Sequence, residues 1–256
     1  MIQSLKNEDD AKKLLNFSVK MARSMLSYGA EVYRVEDTIN RIYKSFDNIK
    51  AANTLVTYNF VIVSFVYNDI NYTTMRRIIL GNRNLEKISL INDLSRKIVT
   101  EGWSIDYSYK KLREIKVTKE YNPWLVIFLL ALSGPFFSIM FGGTFKDSIY
   151  SFLIMGLEGA FLSFATKYKL MDLMQNFFGA LLVTVLVEFS TNFFTIYNPS
   201  SIVIAGIMPL VPGVQITNCV RDFMAGDYIS GMIGVQSAVF TSIAIALGVI
   251  LGLKIV

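Results

Sequence analysis

The sequence predicts an α-helical integral membrane protein with five transmembrane helices, one of them broken, preceded by an N-terminal α+β soluble domain. Three observations carry this. First, the 256 residues are 53% hydrophobic and only 18% charged, and the charges are unevenly placed: 20 Lys plus Arg and 14 Asp plus Glu lie up to Asn122, against 5 and 6 after it. Second, from Pro123 onward the chain reads as long apolar runs, each near the ~20 residues needed to cross a ~30 Å hydrocarbon core. Third, one run, Ala205 to Cys219 (AGIMPLVPGVQITNC), contains Pro209, Pro212 and Gly213, which a continuous helix does not accommodate because proline lacks the N–H donor and clashes one turn back. The boundary at Tyr121 to Pro123 gives two expected domains, 1–121 and 122–256.

In chain order, the N-terminus MIQSLKNEDDAKK is polar and has no apolar core, which is not the pattern of a cleavable signal peptide. Residues Ala11 to Leu26 place Ala11, Leu14, Leu15, Ala22, Met25 and Leu26 at helical spacing. Ser27-Tyr28-Gly29 is a stop, glycine tolerating the left-handed cap. A second helix starting at Glu31 buries Val32, Val35, Ile39, Ile42 and Phe46. Its other face carries Glu31, Arg34, Asp37 and Arg41, a ladder of ion pairs worth a few tenths of a kcal/mol each on a solvated face.

Thr54 to Tyr67 (TLVTYNFVIVSFVY) is rich in β-branched and aromatic residues, and Asn68-Asp69 then leads into Ile70 to Ile79, a β-hairpin pattern. Gly81-Asn82 reads as a further turn. Leu85, Ile88, Ile91, Leu94 and Ile98 restore helical spacing over Asn84 to Ile98, and Asp106 is expected to cap a short helix reaching Ile115.

The five apolar runs are Trp124 to Phe141, Ser148 to Thr166, Met171 to Phe193, Ser200 to Val220 and Tyr228 to Leu253. Trp124, Tyr150, Tyr168, Tyr197 and Tyr228 stand near their ends, where amphipathic rings favour the interface. Lys110, Lys111, Arg113, Lys116 and Lys119 before the first run, Lys167 and Lys169 in the second connection and Arg221 in the fourth assign those segments to the inside. The uncharged connection Asn192 to Pro199 falls outside. An N-terminal domain in the cytoplasm and a C-terminus on the outside of the membrane are the expected topology.

Composition narrows the chemistry. Histidine is absent and Cys219 is the sole cysteine, which removes the commonest general base, His-dependent triads, intramolecular disulfides and Cys/His zinc sites. Walker A, G-x-G-x-x-G and G-x-S-x-G patterns are absent, so the sequence implies no cofactor, no metal and no catalytic group. The basic first half fits anionic lipid, and no basic cluster with interleaved aromatics points to nucleic acid.

Inside the apolar runs, three features read as functional. Glu158 (MGLEGA) and Glu188 (LVEFS) are acids well within spans, where an ionisable group is paired, protonated or lines a pathway; they are the candidate proton-coupling residues. The broken run offers Pro209, Pro212, Gly213, Gln215 and Asn218 as a substrate site: a half-helix restarting near Pro212 to Val214 presents free N–H groups and a partial positive charge to a carboxylate. Ser230, Gly234, Ala238, Gly248 and Gly252 line the last run at helical spacing and allow close contact with another helix.

Ser27-Tyr-Gly-Ala-Glu-Val-Tyr-Arg-Val-Glu-Asp-Thr-Ile39 resembles the G-A-E-x-x-R-V-E signature of the bacterial threonine/serine exporter family. Gly142-Gly143, Met208-Pro-Leu-Val-Pro-Gly213, Arg221-Asp222 and Gly226-Asp227 are similar to its later landmarks, from about Leu14 to the C-terminus. The resemblance marks Gly29, Glu31, Arg34, Glu36, Arg221 and Asp222 as motif positions. Val32 stands where family members often carry a hydroxyl residue. It implies a secondary exporter of threonine and serine, or, in similar two-component systems, of dicarboxylates such as succinate. With five runs the chain resembles the larger subunit of the short type, which works with a second small integral membrane subunit; copies of the same chain are the other partner to consider. A membrane-anchored enzyme acting through residues 1–120 is an alternative that the lack of nucleophile motifs disfavours. A scaffold recruiting partners through Glu31 to Arg41 is another, and it would leave the spans filled with lipid-facing residues alone.

Overall fold

The computed structural model describes residues 3–79, 81, 83–119 and 121–255. The chain divides into two compact units, Met1–Lys119 with Thr217–Gly234, and Glu120–Ile216 with Val235–Val256.

The first unit begins with α1 (Glu8–Ser27), capped by Asn7, whose side chain accepts the N–H of Asp10. Its apolar stripe, Leu14, Phe17, Met21, Met25 and Leu26, is buried. Gly29 adopts φ +91°, the left-handed conformation only glycine reaches without strain, and lets α2 (Val32–Lys44) fold back with Val32, Val35, Ile39 and Ile42 in the same core.

A three-stranded antiparallel sheet follows in the order β1 (Lys50–Val56), β2 (Phe60–Tyr67), β3 (Ile70–Arg77). The run Thr54 to Tyr67 is therefore two strands. Thr57 Oγ1 accepts the N–H groups of Asn59 and Phe60 at 3.3 and 3.2 Å, and Thr57 N donates to Phe60 O at 2.9 Å. This side-chain turn reverses the chain within a β-branched run that shows no Gly or Pro. The β2–β3 hairpin turns at Asn68-Asp69, both at positive φ (50° and 58°), as two-residue hairpin loops require. Val61, Val63, Phe65 and Tyr67 alternate inward on β2.

Helix α3 (Leu85–Glu101) is capped by the Asn84 side chain and ends at left-handed Gly102. Of the turn Gly81-Asn82, Asn82 lies outside the described residues. The cap of α4 (Ile105–Val117) is Ser104, which accepts the Tyr107 N–H, rather than Asp106, which sits inside the first turn. Both residue types cap well; the helix simply starts two residues earlier.

The second unit holds α5 (Pro123–Met140), α6 (Phe145–Lys167), α7 (Asp172–Thr191) and α8 (Pro199–Ile207), followed by a 3-10 turn at Met208–Leu210. The remaining helices, α9 (Gly213–Met224) and α10 (Tyr228–Ile255), each contribute residues to both units. Helices α5, α6, α7 and α10 are long and apolar enough to cross a membrane, and the pair Pro199–Leu210 and Gly213–Met224, bent by 53°, gives a fifth span if it counts as one. Leu125, Phe128, Leu132 and Phe136 on α5 are exposed, a surface suited to hydrocarbon rather than water.

Close helix approach in this unit depends on small residues. A Cβ at Gly134 would lie 2.8 Å from Ser151 O, so α5 and α6 meet at backbone distance. Gly248 and Gly252 of α10 pack on Phe177, Ala180 and Thr184 of α7. In the first unit, Gly231 and Gly234 of α10 are covered by Phe223 and Cys219. The small-residue face of the last helix is thus occupied within the chain at these four glycines.

Candidate functional sites

Two regions gather polar groups where apolar packing would otherwise be expected. In the first unit, the turn at Gly29 delivers Glu31 to the N-cap position of α2, where its side chain makes no capping bond. It is instead buried, 6% exposed, and accepts a hydrogen bond from Arg221 Nη1 of α9, with Arg34 Nε 3.6 Å away. The ladder read along α2 is accordingly divided: Arg41 pairs with Asp37 at 2.8 Å on the solvated side, while Glu31 turns inward to a residue 190 positions away in sequence. A carboxylate at this burial needs such a cation.

One turn along α2, Glu36 Oε1 accepts the Val56 N–H at 2.7 Å, tying the helix to the end of β1. The turn after β1 carries Tyr58, whose hydroxyl donates to Asp222 Oδ2 at 3.0 Å. Asp222 is fully buried and its Oδ1 has no hydrogen-bond partner. Burial pushes the Glu36 carboxyl up to about 7, opposed by the Val56 hydrogen bond and reinforced by the charges of Asp227 and Asp222. Burial likewise raises Asp227, and burial followed by Asp222 raises the Tyr58 phenol. The fold therefore assembles Glu31, Arg34, Glu36, Arg221 and Asp222 at one place, with Gly29 setting the turn that leads into it. Tyr58 is the member sequence reasoning missed: a tyrosine in a β-rich run carries no local sign that its hydroxyl will face an aspartate 164 residues on.

In the second unit, Glu158 of α6 is fully buried, and neither carboxylate oxygen has a hydrogen-bond partner. Ser151, seven residues earlier and so on the same helical face, also has a buried hydroxyl without a partner. A charge at Glu158 would be uncompensated, several kcal/mol of cost by general estimates of buried ions (on the order of 3–5). Glu188 of α7 is only half-buried. Near the other end of α6, Asp147 accepts from Thr144 N at 2.8 Å and from Tyr197 N at 2.9 Å, closing a capping box. Ser138 and Ser201 lie 3.3 Å apart. Gly143 sits against both hydroxyls and has no room for a Cβ, and Gly142 takes φ +85°, a physical reason for two successive glycines there.

The broken span resolves into α8, the 3-10 turn around Pro209 and a restart at Gly213. Pro209 is exposed and Pro212 buried; Gln215 and Asn218 are half-buried. Gly213 N donates to Val211 O at 2.8 Å, and a Cβ at Gly213 would meet nothing within 4 Å. Pro209 to Gln215 belong to the second unit and Asn218 to the first. Among the described residues no group of three or more His, Cys, Asp or Glu could hold a metal ion.

Against known proteins, residues 16–256 match the family model described as "Putative threonine/serine exporter". A curated relative from Mycobacterium tuberculosis named "Probable threonine/serine exporter" is 19% identical over 245 residues, covering 95% of this chain and 46% of the relative. The chain thus spans about half the length of the curated relative it matches. No solved structure matches.

Proposed function

This chain belongs to the threonine/serine exporter family, and we propose that it is the larger subunit of a secondary exporter that moves threonine and serine out of a bacterial cell across the inner membrane. The observation that carries this is Glu158, a buried acid with no partner in the middle of an apolar helix. Such a group costs stability and is kept where it handles a proton or solute. In this reading Glu158, with Glu188, takes up and releases the coupling proton, and the activity is transport rather than catalysis.

The substrate site lies at the break, where Pro209 and Pro212 interrupt the helix, Gly213 leaves its surroundings open and Gln215 and Asn218 supply polar groups. The start of α9 offers its positive end to the carboxylate common to threonine, serine and succinate. Residues 1–121 form a soluble cytoplasmic domain, residues 122–256 the membrane domain, and the C-terminus is outside. A second small integral membrane subunit completes the path.

The test is export of labelled threonine, serine and succinate from proteoliposomes under an imposed pH gradient, with this chain alone and with the second subunit. Release of the hydroxy amino acids only when both are present is the expected result; release of none of the three in either case would end the reading. Orientation is checked by single-cysteine labelling after Cys219 is replaced. A cysteine at 195 should react with an impermeant reagent from outside and one at 167 should not, and the reverse pattern would overturn the proposed topology.

A further inference from the structure

We propose that Glu36, Asp222 and Asp227, with the Glu31–Arg221 pair beside them, form a second proton-binding site, separate from Glu158, whose occupancy controls how firmly the end of α9 is held against α2 and the β1–β2 turn. The case begins from geometry. Asp222 is fully buried; one oxygen is held by the Tyr58 hydroxyl at 3.0 Å, and the other makes no hydrogen bond of good geometry, although the Val32 N–H lies near enough to the carboxylate to favour its charged form. A buried carboxylate oxygen left open in this way marks a place where a proton or water is required. Three hydrogen-bonded links converge on the same region: Arg221 to Glu31, Tyr58 to Asp222, and Val56 N–H to Glu36. The first two join elements 190 and 164 residues apart, and the third ties α2 to the strand that follows it.

The charges facing this region are unbalanced. From α2 come Glu31, Tyr33, Arg34 and Glu36; from the β1–β2 turn, Tyr58; from α9, Cys219, Arg221 and Asp222; then Asp227 after α9, and Arg83 ahead of α3 acting on Tyr58. Arg34 and Arg221 both lean on Glu31. The charges of Asp222 and Asp227 both act against ionisation of Glu36. A proton is the smallest cation that relieves this repulsion, and the described residues do not provide the three-ligand group a metal would need.

The sign follows from the folded-state value. With Glu36 raised to about 7 from its ordinary 4.5, the closed arrangement binds a proton that the open one releases between those values. The contact is therefore firmest below pH 4.5 and weakens as pH rises through 7. That window includes neutral pH, so a modest change in proton concentration changes the hold on α9. The inference does not rest on the transport role of Glu158.

Hydrogen–deuterium exchange on the full chain in nanodiscs tests it, read at pH 5.5 and 7.5 and corrected for intrinsic exchange, in peptides covering 56–60 and 217–224 with α1 as internal reference. Protection in both peptides is expected to fall about tenfold between the two pH values. Glu36→Gln is expected to flatten that dependence, since the amide cannot titrate. No pH dependence beyond that of α1, or an unchanged profile in Glu36→Gln, overturns the proposal. If Glu36→Gln fails to fold, Asp227→Asn replaces it: loss of one like charge lowers the proton affinity of Glu36, so the midpoint is expected to move to lower pH, and an unmoved midpoint is equally fatal.

Discussion

Glu158→Met is expected to raise the thermal stability of the protein and to abolish proton-driven export. Both oxygens of Glu158 are buried and unpartnered, so the wild-type side chain carries the penalty of an unsatisfied polar group, about 1–3 kcal/mol. Methionine has nearly the same length and no polar atoms, and such a replacement at an unsatisfied site is neutral to stabilising. The gain should appear as a higher melting temperature in detergent. Transport driven by a pH gradient should fall to the level of empty vesicles, because thioether sulfur cannot carry the proton. Glu158→Gln should share the transport loss without the gain in stability. A destabilised Met variant would mean that Glu158 has a bound partner in the membrane; an active one with unchanged pH dependence would remove Glu158 from coupling.

The second prediction contrasts two glycines. Gly213→Val is expected to fold normally, because a Cβ there meets nothing within 4 Å, yet to reduce export at least about tenfold by placing a branched side chain where backbone and ligand should approach. Gly248→Val is expected to fail earlier. Its Cβ would run into the Phe177 carbonyl and come within 3.0 Å of Ala180 Cβ, and a backbone atom cannot rotate away, so α10 must separate from α7 at a cost of about 1–3 kcal/mol or more. Size-exclusion profiles and melting curves of the two variants, read beside export rates, distinguish them. A Gly213→Val protein that exports at the wild-type rate would reduce the break to a kink, and a Gly248→Val protein with an unchanged melting curve would mean that α7 and α10 are not packed so closely.

The contrast shows where sequence is informative and where it is not. Composition and periodicity determine the main outline: the apolar runs after Pro123 become α5, α6, α7 and α10 within a few residues of the expected ends, because spanning a fixed hydrocarbon thickness leaves little freedom in length. Pro209 and Pro212 likewise announce the break locally, since a missing N–H acts on its own helix whatever surrounds it. The Asn68-Asp69 turn is legible too, because these residues tolerate the positive φ (50° and 58°) that a two-residue hairpin loop requires.

Long-range pairing is what the tertiary structure decided. Glu31 has the sequence context of an exposed helical charge, with Arg34 and Asp37 in register, and only the fold turns it away from solvent onto Arg221. The Tyr58–Asp222 bond and the orphaned oxygen of Asp222 have no local signature, because hydrogen bonds between side chains depend on which elements meet rather than on spacing along the chain. Gly248 and Gly252 show the same division. Their repeat announces a close contact, but that α7 fills it follows from packing, which matches shapes across distant segments and leaves only half of its information in any one of them.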